Sequence, residues 1–179
     1  MSKKLIVVIA GITCGGKTSI ANNLPKFFSN ISILHQDDFY YTDLNKLESI
    51  PELNYYAFDK INAYDMDKMM ISINSQISDI LVLEGILLLD DIRIVKLVDL
   101  KFFIVMDKNN SWNRRKARTY LPPEPTDYFN NYVWPEYEKH LAKIEIENQD
   151  VIFLNGSNSI DFNTTVVVNH IKQFLLNLK

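Results

Sequence analysis

Five apolar runs rich in β-branched residues punctuate the chain, at Leu5 to Ala10, Ile31 to His35, Ile80 to Glu84, Leu100 to Met106 and Val151 to Leu154. Most lack polar alternation, the signature of strands buried on both faces. Between them, apolar residues recur at helical spacing over Lys17 to Phe28, Ala63 to Ile77, Ser111 to Thr119, Val133 to Glu147 and Asp161 to Leu178. In the last of these, Val166, Val167, His170, Ile171, Phe174, Leu175 and Leu178 form one buried face. Strand alternating with helix predicts an α/β fold, a parallel sheet covered by helices. Ligands on such sheets sit beyond the carboxyl ends of the strands. That rule singles out Gly11 to Thr18, Asp37 and Asp38, Glu84 and Gly85, and the residues from Asp107 onward.

Composition narrows the classes. A chain of 179 residues, 47% hydrophobic, suffices for one core, so residues 1–179 are expected to form a single domain. A net charge of −3 argues against a broad phosphate-gripping surface, and a small-molecule partner is expected in place of nucleic acid. One cysteine, Cys14, excludes an internal disulfide and a thiol-only metal site, which fits the cytoplasm. Lys3 and Lys4 precede an apolar run too short for a secretory signal, and no stretch approaches the roughly twenty apolar residues of a membrane span. A soluble monomer without membrane contact is expected. His35, His140 and His170 lack metal-ligand spacing and read as structural histidines.

The stretch GITCGGKT gathers Gly11, Gly15 and Gly16 in a glycine-poor chain. Gly11, Gly16, Lys17 and Thr18 fit G-x-x-x-x-G-K-[ST] between a strand and a helical pattern, the P-loop context. Such a loop curls its N–H groups around a phosphate, and the following helix adds its positive end. Lys17 would reach the outer phosphates and the Thr18 hydroxyl would hold Mg²⁺. Cys14 reads as a small filler at a variable loop position. The closest string to a guanine-specific element, Asn45-Lys46-Leu47-Glu48, ends in the wrong residue and follows no strand.

Two strand ends carry acids. HQDDFYY places Asp37 or Asp38 at the rim, where a carboxylate can orient an attacking alcohol and take its proton. The strand ending at Glu84 puts an acid where P-loop enzymes hold Mg²⁺. Further on, SWNRRKARTYLPPEPTDYF begins with a plausible cap at Ser111 and carries Arg114, Arg115, Lys116 and Arg118 before Pro122-Pro123. Like charges so close suggest an anion between them, and the segment from about 111 to 129 reads as a lid over the transferring phosphate.

With these residues in hand, the sequence resembles the nicotinamide riboside kinases, of the P-loop nucleoside and nucleoside-monophosphate kinase group. The resemblance is carried by GITCGGKT, HQDDFYY, FDKINAYDMDKMM, ILVLEGILLL and RRKARTYLPPEPTDYFNNYVWPEY, up to about His140. It implies a P-loop NTPase-type three-layer α/β/α fold with a five-stranded parallel sheet and a lid. It also implies transfer of the ATP γ-phosphate to the 5′-hydroxyl of nicotinamide riboside. On that resemblance Asp37 is the general base, with Lys17 and Arg118 catalytic beside it. Gly11, Thr13, Cys14, Gly15, Gly16, Lys17, Thr18 and Ser19, with Arg114 and Arg118, form the ATP site. Thr18 and Glu84 hold the magnesium. Asp59 takes the ribose hydroxyls, Arg115 contacts the nucleoside, and Phe58 and Tyr120 stack on the nicotinamide, with Phe39 and Asp37 completing the substrate site. Phe58 stands where the family suggests tyrosine, keeping the ring and losing a hydroxyl. The chain is also shortened between Met70 and Ile80, read as a trimmed surface loop. A pyridinium base suits aromatic faces and carboxylates better than neutral uracil does. A uridine or cytidine kinase and an ATP-binding regulatory module without transfer activity remain the alternatives.

Overall fold

The computed structural model describes residues 4–177, so Lys3 and Leu178 lie outside the described residues. Its strands are β1 (Leu5–Gly11), β2 (Ile31–His35), β3 (Ser49–Ile50), β4 (Tyr55–Tyr56), β5 (Ile80–Glu84), β6 (Leu100–Val105) and β7 (Val151–Asn155). Its helices are α1 (Lys17–Asn23), α2 (Met66–Ser75), α3 (Ile92–Leu97), α4 (Lys108–Arg115), α5 (Trp134–Glu147) and α6 (Ile160–Asn177). The five predicted runs pair as one parallel sheet in the order β2-β5-β1-β6-β7. Central β1 and its neighbour β5 are buried at every residue, which is why they read as unbroken apolar runs.

Successive residues of β6 serve opposite layers. The Phe102 ring meets His170 of α6, while Phe103 stacks with Tyr137 of α5. Helices therefore cover both faces, and cutting either fully buried phenylalanine to alanine should cost about 3–5 kcal/mol. The strand order also sets the site, because Glu84 registers with Ile9 on one side and with His35 on the other.

Helix boundaries depart from the spacing. α1 gives way to a 3₁₀ turn, Leu24–Lys26, at Pro25, which has no N–H for the helical ladder. α4 starts earlier than expected, because Asp107, two residues after β6, caps it, accepting from the Asn110 N–H at 2.9 Å. Ser111 is thus no cap: it is fully buried within α4, its hydroxyl donating to the Thr13 carbonyl at 3.4 Å. The helix ends at Arg115, so Arg118 lies beyond it in a turn.

The short helix α3, capped by Asp91, and the two-residue strands β3 and β4 are too brief to show periodicity and were not anticipated. The hairpin nucleates a second apolar cluster of Ile50, Tyr55, Ala57, Tyr128, Phe129 and Val133, beside the main core. One turn of π-helix, Phe129–Val133, leads into α5, whose first turn contains Pro135, a position where the missing N–H costs nothing. Among the described residues no helix is long and apolar enough to cross a membrane.

Candidate active site

The loop after β1 is built on backbone that side chains would block. Gly11 has φ +121°, and a Cβ there would lie 2.3 Å from the Ile104 carbonyl oxygen of β6. Gly16, with φ +99°, opens α1 from a left-handed conformation. Cys14 also holds a left-handed φ of 58°, unusual for a residue with a side chain. Lys17 is buried, and its Nζ donates to the Gly11 and Ile12 carbonyls at 3.0 and 2.8 Å. Burial lowers its pKa, opposed by the negative charges of Glu84 and Asp37.

Beside this loop lies a polar cavity of about 70 Å³, walled by Lys17, Thr18, Ser19, Asp37, Glu84 and Arg118 among others. The Thr18 hydroxyl donates to Glu84 Oε1 at 3.1 Å, and His35 Nδ1 lies 2.7 Å from the same oxygen. These hard oxygens at the cavity wall are the donor type that a small divalent cation takes. Among the described residues, no group of three or more His, Cys, Asp or Glu is gathered for a metal. That suits a cation held by one or two protein oxygens with other ligands from phosphate and water.

A second cavity of about 470 Å³ adjoins the first. The rings of Tyr40, Tyr55, Phe58, Tyr120 and Tyr128 line it together with Asp37, Asp59, Arg115, Arg118 and Glu124. Asp37 and Arg118 line both cavities. The Asp37 side chain is open to the solvent of these cavities, yet their walls desolvate it enough to raise its pKa, against the pull of Lys17 and with the push of Glu84. Arg118 donates through its guanidinium to no described residue and is exposed.

Arg115 is held far more tightly. Its Nε donates to both Glu124 oxygens, at 3.1 and 3.0 Å, Nη2 also meets Glu124, and Nη1 donates to the Thr13 hydroxyl at 2.9 Å. Asp59 Oδ2 lies 3.6 Å from Nη2, and the guanidinium rests over the Tyr120 ring at 5.0 Å. Burial works against its charge, but Glu124 and Asp59 outweigh that and raise its pKa. Asp59 is half-buried on the cavity wall, and desolvation raises its pKa despite Arg115 and a 3.0 Å hydrogen bond from the Tyr128 hydroxyl. The anion expected between the arginines is therefore supplied by the protein's own acids. Arg114 turns the other way, donating to the Cys14 carbonyl at 3.3 Å and so tying α4 to the loop.

Of the predicted residues, Thr13, Cys14, Gly16, Lys17, Thr18 and Ser19 of the loop, with Asp37, Phe58, Asp59, Glu84, Arg115, Arg118 and Tyr120, thus converge on two contiguous cavities, whereas Gly11, Gly15 and Arg114 line neither. Phe39 is a correction: it lines neither cavity, because the 3₁₀ turn Gln36–Phe39 directs its ring into the main core at 6% exposure. Glu124, Tyr40, Tyr55 and Tyr128 were missed. Glu124 alone had a signal, an acid among prolines just after the basic helix. His140 is buried with Nδ1 3.0 Å from Asp90 Oδ2, in keeping with a structural histidine, whereas His35 reaches the site.

Comparison with known proteins yields three kinds of match. Residues 55–121 match the Phosphoribulokinase / Uridine kinase family. Nicotinamide riboside kinase 1 of Rattus norvegicus is 31% identical over 193 residues, spanning 97% of this chain and 96% of that protein. Nicotinamide riboside kinase 2 of Mus musculus is 29% identical over 194 residues, spanning 97% and 98%. Among solved structures, a possible uridine kinase from Bacillus stearothermophilus superposes with a TM-score of 0.57 at 17% identity, over 86% of this chain and 90% of that one, a likeness of fold.

Proposed function

The chain belongs to the nicotinamide riboside kinase family, and from that premise we propose that it transfers the γ-phosphate of ATP to the 5′-hydroxyl of nicotinamide riboside. The products are nicotinamide mononucleotide, ADP and a proton. The observation that carries this function is the position of Asp37, on the wall shared by the P-loop cavity and the aromatic cavity.

In this mechanism the loop from Gly11 to Ser19 cradles the phosphates with its N–H groups, and Lys17 exchanges its carbonyl partners for the outer phosphates. Asp37 orients the riboside alcohol and accepts its proton, a task helped by a pKa raised toward the working pH. Arg118, exposed and bordering both cavities, takes up charge on the transferring group. Arg114 holds α4 against the loop. Thr18 and Glu84 are the residues that would hold Mg²⁺, which supplies charge neutralisation across the phosphates.

At the acceptor end, Asp59 binds the ribose hydroxyls. Phe58 and Tyr120 flank the pyridinium ring, whose positive charge suits aromatic faces among Asp37, Asp59 and Glu124. Arg115, locked by Glu124, positions Asp59 and Tyr120 around the nucleoside. We take residues 111–129 as a lid within one domain, and the enzyme as a cytoplasmic monomer working on small nucleosides.

A panel of ribosides assayed with ATP and Mg²⁺ tests the assignment: nicotinamide riboside should give its 5′-mononucleotide faster than uridine or cytidine gives theirs. A uridine or cytidine kinase is the second reading, favoured by the family match over residues 55–121, which supply Phe58, Asp59, Arg115, Arg118 and Tyr120. Faster turnover of uridine would install it. Nucleotide binding with no phosphorylation of any riboside would mark a regulatory module.

A further inference from the structure

We propose that His35 is a positioning residue for the metal-binding carboxylate, fixing Glu84 toward the cation through Nδ1. This deepens the kinase assignment and rests on the role given there to Glu84.

The pairing is dictated by the sheet. β2 and β5 run parallel with His35 directly opposite Glu84, so the last residue of an edge strand meets the last residue of its neighbour. The Glu84 side chain is 5% exposed, where a carboxylate without partners would be strongly disfavoured. Among the described residues two side chains bond it, both on Oε1: the Thr18 hydroxyl at 3.1 Å and His35 Nδ1 at 2.7 Å. A carboxylate only accepts, so Nδ1 carries the hydrogen of that bond.

The two anchors differ in kind. Thr18 is exposed and is itself a ligand candidate, so its hydroxyl serves the cation and Glu84 together. His35 lines neither cavity wall and has its backbone fixed in the sheet. It is the anchor whose geometry does not depend on what the cavity holds. Outer partners of this kind fix the orientation of a ligand, and replacing them weakens metal binding. Nothing in the chain's spacing signals this, because 49 residues separate the pair and only the strand register joins them.

The test uses the full chain and nucleotide binding, so it does not depend on turnover. His35→Asn keeps a nitrogen close to the place of Nδ1, and His35→Phe keeps a ring without one. ATP is titrated calorimetrically in EDTA and over a series of Mg²⁺ concentrations, with thermal melting as the folding control. We expect His35→Phe to raise the Mg²⁺ concentration for half-maximal enhancement about tenfold to a hundredfold, with EDTA binding unchanged. His35→Asn should stay near wild type. His35→Ala replaces the phenylalanine variant if that fails to fold, with the same expectation.

Unaltered Mg²⁺ dependence without the nitrogen, equal loss in EDTA, or an asparagine variant as defective as the phenylalanine one would each overturn the inference. So would a wild type whose nucleotide affinity ignores Mg²⁺, and in that case the riboside panel still judges the kinase assignment separately. If wild type phosphorylates no riboside but the Mg²⁺ shift appears, His35 stands and the riboside assignment falls.

Discussion

The two cavities that meet at Asp37 are built by opposite means. The smaller, about 70 Å³, takes most of its wall from one stretch after β1 and from the buried end of β5, with bonds from Lys17 to loop carbonyls and from Thr18 to Glu84. The larger, about 470 Å³, borrows aromatic rings from well-separated segments at Tyr40, Tyr55 to Phe58 and Tyr120 to Tyr128. Backbone geometry fixes the first, so its shape tolerates almost no added atom. Side-chain packing fixes the second, whose members can be trimmed singly while the rest hold. One place therefore suits a ligand of invariant shape, a phosphate chain, and the other a ligand recognised by its faces.

Changes that strike this contrast should differ in size and in kind. The largest effect belongs to the shared residue: Asp37→Asn should lower kcat by about 10²- to 10⁴-fold while calorimetry shows ATP affinity little changed. Near-normal turnover would remove Asp37 as the base. Next comes the rigid side. Gly11→Ala adds a Cβ 2.3 Å from the Ile104 carbonyl oxygen at a φ of +121°, and thermal melting should show a loss of about 3 kcal/mol or more. A normal Tm would show that the loop yields.

On the adaptable side, Phe58→Ala and Tyr120→Ala should keep the fold. They should raise the riboside KM by about 5- to 100-fold, the worth of one lost stacking face, and leave the KM for ATP alone. Equal shifts in both constants would mean that the rings support the whole site instead.

The smallest effects concern protons. The pKa of Asp37 lies above its ordinary 3.8, and the base form is the active one. The acid limb of kcat/KM should therefore fall as pH drops through that raised value, and the limb should vanish in Asp37→Asn. A raised carboxyl pKa also means that the ionised form disfavours the folded state above it. Asp37→Asn should thus melt slightly higher than wild type near neutral pH, and a lower Tm would contradict the assigned desolvation.

The same contrast governs what could be read in the sequence. Strand runs, the P-loop, Asp37 and Glu84 are legible because period, motif and strand end each act within a few residues. Phe39 was misplaced by its neighbourhood: adjacency to Asp37 suggested the site, but the 3₁₀ turn sends its ring to the core. The clustered arginines suggest an anion between them, but nothing local shows that Glu124 already binds Arg115 bidentately. Tyr40, Tyr55 and Tyr128 look like any buried aromatic until tertiary packing assembles them, with Tyr55 bonded to the Pro122 carbonyl and Tyr128 to Asp59. His35 joins Glu84 only through strand register.

The central claim is that the two cavities form one continuous path across Asp37. The most direct measurement is the calorimetric affinity of a bisubstrate compound joining adenosine to nicotinamide riboside through an oligophosphate bridge. Contiguous cavities predict binding about 10²- to 10⁴-fold tighter than either half alone, with that gain cut about 5- to 100-fold in Phe58→Ala. An affinity no better than that of ATP would show that the cavities do not communicate.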